Sequence, residues 1–214
     1  MTEPPDISST RAAYDTVAVD YEELLRDHLA VKPYDRAVLA VFAERVRDSG
    51  NTAVADAGCG PGRITAHLAS LGLEAFGIDL SPAMVDVARL SHGGLRFDMG
   101  SIDALDLNTG SLGGIVSWYS IIHTPPERLA AVLAEFGRVL AVGGFVLLAF
   151  QCGDAPRHIR HAYGHDIALD AYLLPPARIT ALLAATGFEP ESQLVREPDE
   201  GERTPQAYLI ARRK

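Results

Sequence analysis

The run Val54-Ala55-Asp56-Ala57-Gly58-Cys59-Gly60-Pro61-Gly62-Arg63 limits the folds open to this chain more than any other stretch. Small and apolar residues lead to an acid, and three glycines then alternate through a tight turn. Thr52 to Ala57 reads as a strand entering the turn, and Ile64 to Leu71 as the helix leaving it. Glycine is required where the backbone takes positive φ, or where a ligand must approach the main chain with no Cβ in the way. The spacing is G-x-G-x-G, not the G-x-G-x-x-G of dinucleotide sites. Asp56 beside a pyrophosphate would bring negative charges together in a water-poor turn. The same acid suits a cation, so the turn favours a ligand carrying an ammonium group.

A second signal follows. Glu74-Ala75-Phe76-Gly77-Ile78 is a short apolar strand ending in Asp79. A carboxylate at such a strand end can accept hydrogen bonds from both hydroxyls of a ribose. In the continuation Leu80-Ser81-Pro82-Ala83-Met84, a serine cap precedes a proline at the first helical position. Together these stretches resemble the class I S-adenosylmethionine-dependent methyltransferases of small-molecule type. The first motif is Asp56-Ala57-Gly58-Cys59-Gly60-Pro61-Gly62, and Asp79 to Met84 matches the D-x-S-x-x-M stretch. The resemblance implies that Met84 packs on the adenine of the donor. It implies an adenine clamp at Met99-Gly100-Ser101-Ile102, where the family commonly has an acid or amide and this chain has Ser101. The contact then falls to the Ser101 hydroxyl and the Ile102 backbone. Cys59 is read as a spacer touching the donor through its backbone. Arg63 either meets the donor carboxylate or simply begins the helix.

The resemblance extends over roughly residues 10 to 212, as several weak motifs in the right order. Gly94 to Asp98 and Gly113 to Trp118 read as strands three and four. Pro126 to Leu140 reads as an amphipathic helix, and Gly143 to Leu148 as a fifth strand after a glycine turn. Arg138-Val139-Leu140-Ala141-Val142-Gly143-Gly144 is similar to the family's R-x-L-x-x-G-G signature. Pro175 to Thr186 reads as a late helix, followed by an antiparallel pair, Glu189 to Arg196 and Ala207 to Arg212. The expected fold is α/β: a Rossmann-like, doubly wound, seven-stranded and mostly parallel sheet. Its final strand is antiparallel, and helices cover both faces.

Residues 1 to 9 are polar and proline-bearing and are expected to be disordered. Residues 10 to 214 are expected to form a single domain. Residues 10 to 49 would form an N-terminal helical lid, and 151 to 174 an insert facing the substrate. Tyr14-Asp15-x-x-Ala18-x-x-Tyr21 resembles a lid segment closing over the donor. Tyr14 is assigned to the donor and Tyr21 to the acceptor, although the helical spacing also suits a stripe packed on the sheet.

The stretch Ser117-Trp118-Tyr119-Ser120-Ile121-Ile122-His123 follows strand four, where the family brings donor and acceptor together. Ser117 and Trp118 are expected beside the donor. Methyl transfer needs positioning and, for a weak nucleophile, proton removal. His123 has an ordinary pKa suited to a base near neutrality, and Tyr119 would orient the acceptor. The competing reading makes both merely pocket wall. In the insert, His158, His161 and Tyr163 are assigned to the acceptor. His158, His161 and His165 share a spacing that could ligate a metal on one helix face, but Gly164 and the missing apolar stripe oppose a helix. A polar lid is preferred, and no metal is expected.

Nineteen basic residues against twenty-eight acidic ones give a net charge of −9, which disfavours a nucleic-acid substrate. No apolar run of membrane-spanning length is present, and the two cysteines build no disulfide framework. The expected protein is cytoplasmic, a monomer or homodimer, acting on a small-molecule acceptor through oxygen, nitrogen or carbon and leaving S-adenosylhomocysteine. Two alternatives stay open: a non-catalytic relative that only binds, and a nicotinamide-dependent oxidoreductase. The sequence does not name the acceptor.

Overall fold

The computed structural model describes residues 4–214. Helix α1 (Pro5–Leu25) starts with proline at its first position, where the missing N–H has no intrahelical partner to lose. It begins well inside the stretch expected to be disordered, so residues 5 to 9 are helical; residues 1 to 3 lie outside the described residues. A short 3₁₀ turn (His28–Val31) leads to α2 (Pro33–Asp48). Strands and helices then alternate: β1 (Ala53–Ala57), α3 (Arg63–Ser70), β2 (Glu74–Asp79), α4 (Pro82–Ser91), β3 (Phe97–Met99), β4 (Leu112–Trp118), α5 (Leu129–Val139) and β5 (Leu140–Gln151). The hairpin β6 (Ala155–Ala162) and β7 (His165–Leu173) follows, then α6 (Pro176–Ala185), β8 (Phe188–Arg196) and β9 (Gln206–Arg213).

Seven strands form one sheet in the order β3-β2-β1-β4-β5-β9-β8, with β9 antiparallel to both neighbours and the remaining pairings among β1 to β5 parallel. Successive strand residues point to opposite faces, and both faces are apolar. Ala55, Ile115, Val146 and Leu148 face Leu133 and Phe136 of α5 and Leu183 of α6. Val54, Val116, Leu147 and Ala149 face Leu39 and Phe42 of α2 and Leu68 of α3. The order reverses between β1 and β4, so their carboxyl ends open a crevice at the switch point. The glycine turn sits there.

Several elements depart from the sequence reading: β3 begins at Phe97 and not at Gly94, and α5 at Leu129 and not at Pro126. β5 runs back through Gly143-Gly144 to Leu140, with a register break against β4 between Leu112 and Gly114 and Gly143 at φ +84°. The insert is a two-stranded hairpin, turned by Tyr163-Gly164, both at positive φ. Positive φ at both central residues gives a two-residue turn whose twist matches its strands.

Candidate functional site

The glycine turn is built by close approach. A Cβ on Gly58 would lie 2.3 Å from Cβ of Ser120, and one on Gly62 would lie 2.7 Å from the Phe97 ring; both residues also have positive φ. The turn's N–H groups are occupied internally. Those of Gly58 and Cys59 donate to the Ile78 carbonyl, that of Gly62 to the Cys59 carbonyl, and that of Gly60 to Asp79 Oδ2 at 2.7 Å. A turn whose donors are already used offers no cradle for a pyrophosphate, which argues against the nicotinamide alternative.

Asp56 and Asp79 line the crevice, and both are buried. Asp56 Oδ2 accepts a 2.7 Å hydrogen bond from the Thr65 hydroxyl, while Oδ1 has no partner among the described residues. Burial raises the Asp56 carboxyl to about 7, against the opposing hydrogen bond from Thr65. A buried carboxylate oxygen with no partner fits an arriving ammonium group. Asp79 accepts from the backbone of Gly60 and, through Oδ1, from Ser81 at 2.9 Å; burial nonetheless raises its pKa. Each oxygen retains a lone pair for a diol. These two acids therefore suit the ammonium and ribose of S-adenosylmethionine.

Of the other residues assigned to the donor, Tyr14, Gly58, Cys59, Gly60, Arg63, Leu80, Met84, Ser101, Ile102 and Trp118 also line this chamber. Three do not. Gly62 caps α3 behind the turn, and Gly100 bonds its N–H to the Asp79 carbonyl at the sheet edge. Ser117 is fully buried behind the crevice, where its hydroxyl meets that of Ser120 at 2.6 Å; Ser120 is the serine that lines the chamber. The Cys59 side chain turns into a core cluster with Val85, Ala88 and Phe97, and burial pushes its thiol up. The Ser101 hydroxyl donates at 2.5 Å to Asp103 Oδ1. Asp103, two residues beyond Ser101, thus brings a carboxylate to the same chamber wall.

Asp103 was not singled out from the sequence, nor were Arg128 and Asp6. Arg128 binds Asp103 Oδ2 through one nitrogen and Asp6 Oδ2 of α1 through another at 2.6 Å. Asp15 accepts from the Ser81 hydroxyl at 2.6 Å and from the Ala83 N–H, while Ser81 Oγ caps α4 by accepting from Met84 N. Helix α1 is thus fastened over the crevice at both ends of the donor chamber. No local pattern announces these pairs, because the partners are far apart in sequence.

A second chamber of about 820 Å³ opens beside the first, in the size range of small-molecule sites. Tyr14, Tyr21, Arg63, Trp118, Tyr119 and His123 belong to both walls. His158, His161 and Tyr163 line the second chamber only, and His165 lines neither. The histidines sit on hairpin strands, not on a helix face, and each has its own carboxylate: His158 with Asp170 at 2.5 Å, His161 with Asp166 at 3.0 Å, and His165 with Asp20 of α1 at 2.7 Å. Tyr163 at the hairpin tip packs on Tyr21, ring centres 5.0 Å apart. The insert therefore clasps α1.

At the junction, His123 ends a 3₁₀ turn, Ile121–His123. Its Nδ1 lies 2.8 Å from the Asp170 carbonyl, which can only accept, so Nδ1 carries the proton and Nε2 is the acceptor. Nε2 receives the Tyr14 hydroxyl at 2.7 Å. Burial lowers the His123 pKa and raises that of Tyr14 well above its ordinary value, so both are neutral. Tyr119 adopts φ +58°, uncommon outside glycine, and its hydroxyl lies 3.5 Å from that of Tyr208, itself donating to Asp35 at 2.6 Å. Burial raises the Tyr119 pKa too, which suits an orienting role and not a base.

Among the described residues, no helix is long and apolar enough to cross a membrane. A methyltransferase-domain model matches residues 54–144. The magnesium-protoporphyrin O-methyltransferase of Rhodobacter capsulatus is 30% identical over 139 residues, covering 62% of this chain and 61% of that protein. The malonyl-[acyl-carrier protein] O-methyltransferase of Erwinia billingiae is 30% identical over 51% of this chain and 43% of its own length. The chain thus spans less than two thirds of these curated relatives. The fold of the Synechocystis magnesium protoporphyrin IX methyltransferase with bound S-adenosylmethionine covers both chains fully, with a TM-score of 0.71 at 19% identity. That of Burkholderia thailandensis 1,6-didemethyltoxoflavin-N1-methyltransferase, solved with its substrate and S-adenosylhomocysteine, gives 0.70 at 20% identity, over 100% of this chain and 92% of that one. The glycine turn, the Asp56 and Asp79 carboxylates, the sheet order and the domain match together make this chain similar to the class I S-adenosylmethionine-dependent methyltransferases.

Proposed function

We propose that the protein methylates a small molecule whose nucleophilic atom, a hydroxyl oxygen foremost, gives up a proton as it reacts. The observation that supports this reading is the wall shared by the two chambers, to which Tyr14 and His123 both belong. When bound, S-adenosylmethionine supplies a methyl carbon made electrophilic by its sulfonium. Asp56 would hold the ammonium of the donor, Asp79 its ribose, and Arg63 its carboxylate. Met84 and Ile102 would pack on the adenine, and Ser101 and Asp103 would hold its amine.

The acceptor atom would sit against the Tyr14 oxygen. As that atom loses its proton to Tyr14, the Tyr14 proton passes to Nε2 of His123, and the Asp170 carbonyl steadies the resulting imidazolium through Nδ1–H. Tyr119 and Trp118 shape the acceptor's approach. Closure by α1 and the hairpin keeps water from the reacting centre.

Calorimetric titration with S-adenosylmethionine, S-adenosylhomocysteine, NAD and NADP tests the donor site. Binding of the first pair alone is expected. Binding of a nicotinamide, or of nothing, overturns the reading. Release of S-adenosylhomocysteine in the presence of phenolic and other hydroxyl acceptors then tests transfer.

A further inference from the structure

The two chambers differ in charge. The donor chamber is lined by four carboxylates, Asp6, Asp56, Asp79 and Asp103, against three arginines, Arg11, Arg63 and Arg128, the last of which pairs with Asp6 and Asp103. The second chamber is lined by Arg63, Arg157, Arg160, Arg196 and Arg203, with only Asp35 and Glu202 opposing them. Both acids are already engaged. Glu202 takes Arg196 through both oxygens, at 2.5 and 2.7 Å, and Lys32 at 3.0 Å. Asp35 takes the Tyr208 hydroxyl.

That leaves cations without counter-charge. The Arg160 and Arg203 side chains make no hydrogen bond or ion pair among the described residues. Arg157 makes one bond, to the neutral Gln151 side chain at 2.7 Å. Trp118 Nε1, a group that can only donate, is buried in the shared wall with no partner among the described residues. In a chain of net charge −9, a cavity lined this way is a built feature of the site and not a reflection of composition. Its walls offer five arginines against two carboxylates, of which Glu202 is paired with Arg196 and Lys32.

Resting on the methyltransferase reading above, we infer that the acceptor is an organic anion bearing a carboxylate or a phosphate. Arg157, Arg160 and Arg203 draw its charged group to their part of the wall, and its nucleophilic atom reaches Tyr14 at the junction. Trp118 Nε1–H meets an acceptor atom of the same molecule. Guanidinium forks bind both oxyanions in bidentate fashion, so the chamber selects for charge before it selects for shape.

The test titrates the protein loaded with S-adenosylhomocysteine with three probes of similar size, namely salicylate, phenyl phosphate and the neutral salicylamide, followed by calorimetry. At least one anion is expected to bind about tenfold or more tightly than salicylamide, and the preferred anion separates carboxylate from phosphate. The triple variant Arg157→Gln, Arg160→Gln, Arg203→Gln should lose that preference and keep its affinity for S-adenosylhomocysteine, which also shows that it is folded. An equal response to all three probes, including none to any, overturns the inference. So does a triple variant that keeps the preference. Repeating the titrations on the unliganded protein reads the chamber independently. Failure of S-adenosylhomocysteine to bind strikes the parent reading alone.

Discussion

Tyr14 of the lid helix donates its hydroxyl proton to Nε2 of His123, 109 residues away, across 2.7 Å. One bond therefore joins closure of α1 to the protonation state of the proposed base. In the proposed reaction the acceptor would meet the Tyr14 oxygen first and His123 through it.

Tyr14→Phe and His123→Ala are each expected to lower turnover by about 100-fold or more, with small changes in donor affinity. The double variant should be little worse than either single one, because both remove one relay. Burial lowers the His123 pKa, so the imidazole stays neutral to a pH below its ordinary value of 6.5. The acid limb of the rate profile should therefore lie below that value, with activity lost as pH falls through the lowered pKa. Additive losses in the double variant would show that the two residues act separately.

Asp56 carries the donor prediction. Its folded pKa is raised from 3.8 to about 7, so folding favours the protonated form of the empty site. The stability this contributes is complete below 3.8 and is lost as pH rises through about 7. Asp56→Asn should accordingly raise the melting temperature of the donor-free protein at pH above 7, by an amount corresponding to a few kcal/mol at most. The same variant should bind S-adenosylmethionine about tenfold to a hundredfold more weakly, since the amide presents no charge to the ammonium. Thermal melts across pH and calorimetry read the two effects. A variant that loses stability and keeps affinity would place the ammonium elsewhere.

Arg128 joins Asp6 of α1 to Asp103 of the first chamber's wall, and all three side chains are largely shielded from water. Arg128→Met leaves both carboxylates without their cation. The donor should then dissociate about tenfold faster, because the lid loses a charge-assisted anchor. Stopped-flow displacement of bound S-adenosylhomocysteine measures this rate. An unchanged rate would mean that the Asp15–Ser81 contact alone holds the lid.

Much of this was legible in the sequence because its signals are local. The turn glycines, the acid ending β2 and the Ser81-Pro82 helix start are each set by neighbours within a few residues. The mostly parallel sheet followed from alternating apolar strands and helices. Asp103, Arg128 and Asp6 were not legible, since a surface-type charge looks alike whether or not a distant partner awaits it. The hairpin was hidden for another reason. Only one of its faces is apolar, with Ile159, Leu169 and Ala171 turned inward, and its turn is Tyr-Gly in place of the usual Asn-Gly. Ser117 was misplaced toward the crevice because strand alternation sends it inward, while Ser120 past the strand end reaches the chamber wall.

Gly77 and Cys59 show how the turn depends on the strand beside it. A Cβ on Gly77 would stand 2.6 Å from Cys59 Sγ and 2.6 Å from the Phe97 ring. Both neighbours belong to the small cluster with Val85 and Ala88, which gives little room to move. Gly77→Ala should therefore cost about 1–3 kcal/mol through overpacking, and should weaken donor binding by shifting the turn that Asp79 braces. Cys59→Ala alone should cost only about 1 kcal/mol, the loss of one small buried group. Combining the two should recover part of the Gly77→Ala loss, because the sulfur leaves and the Phe97 ring remains. Urea denaturation of the four proteins measures the coupling. Strict additivity would show that Cys59 does not fill the space beside Gly77, and that its place in the turn is not a packing requirement.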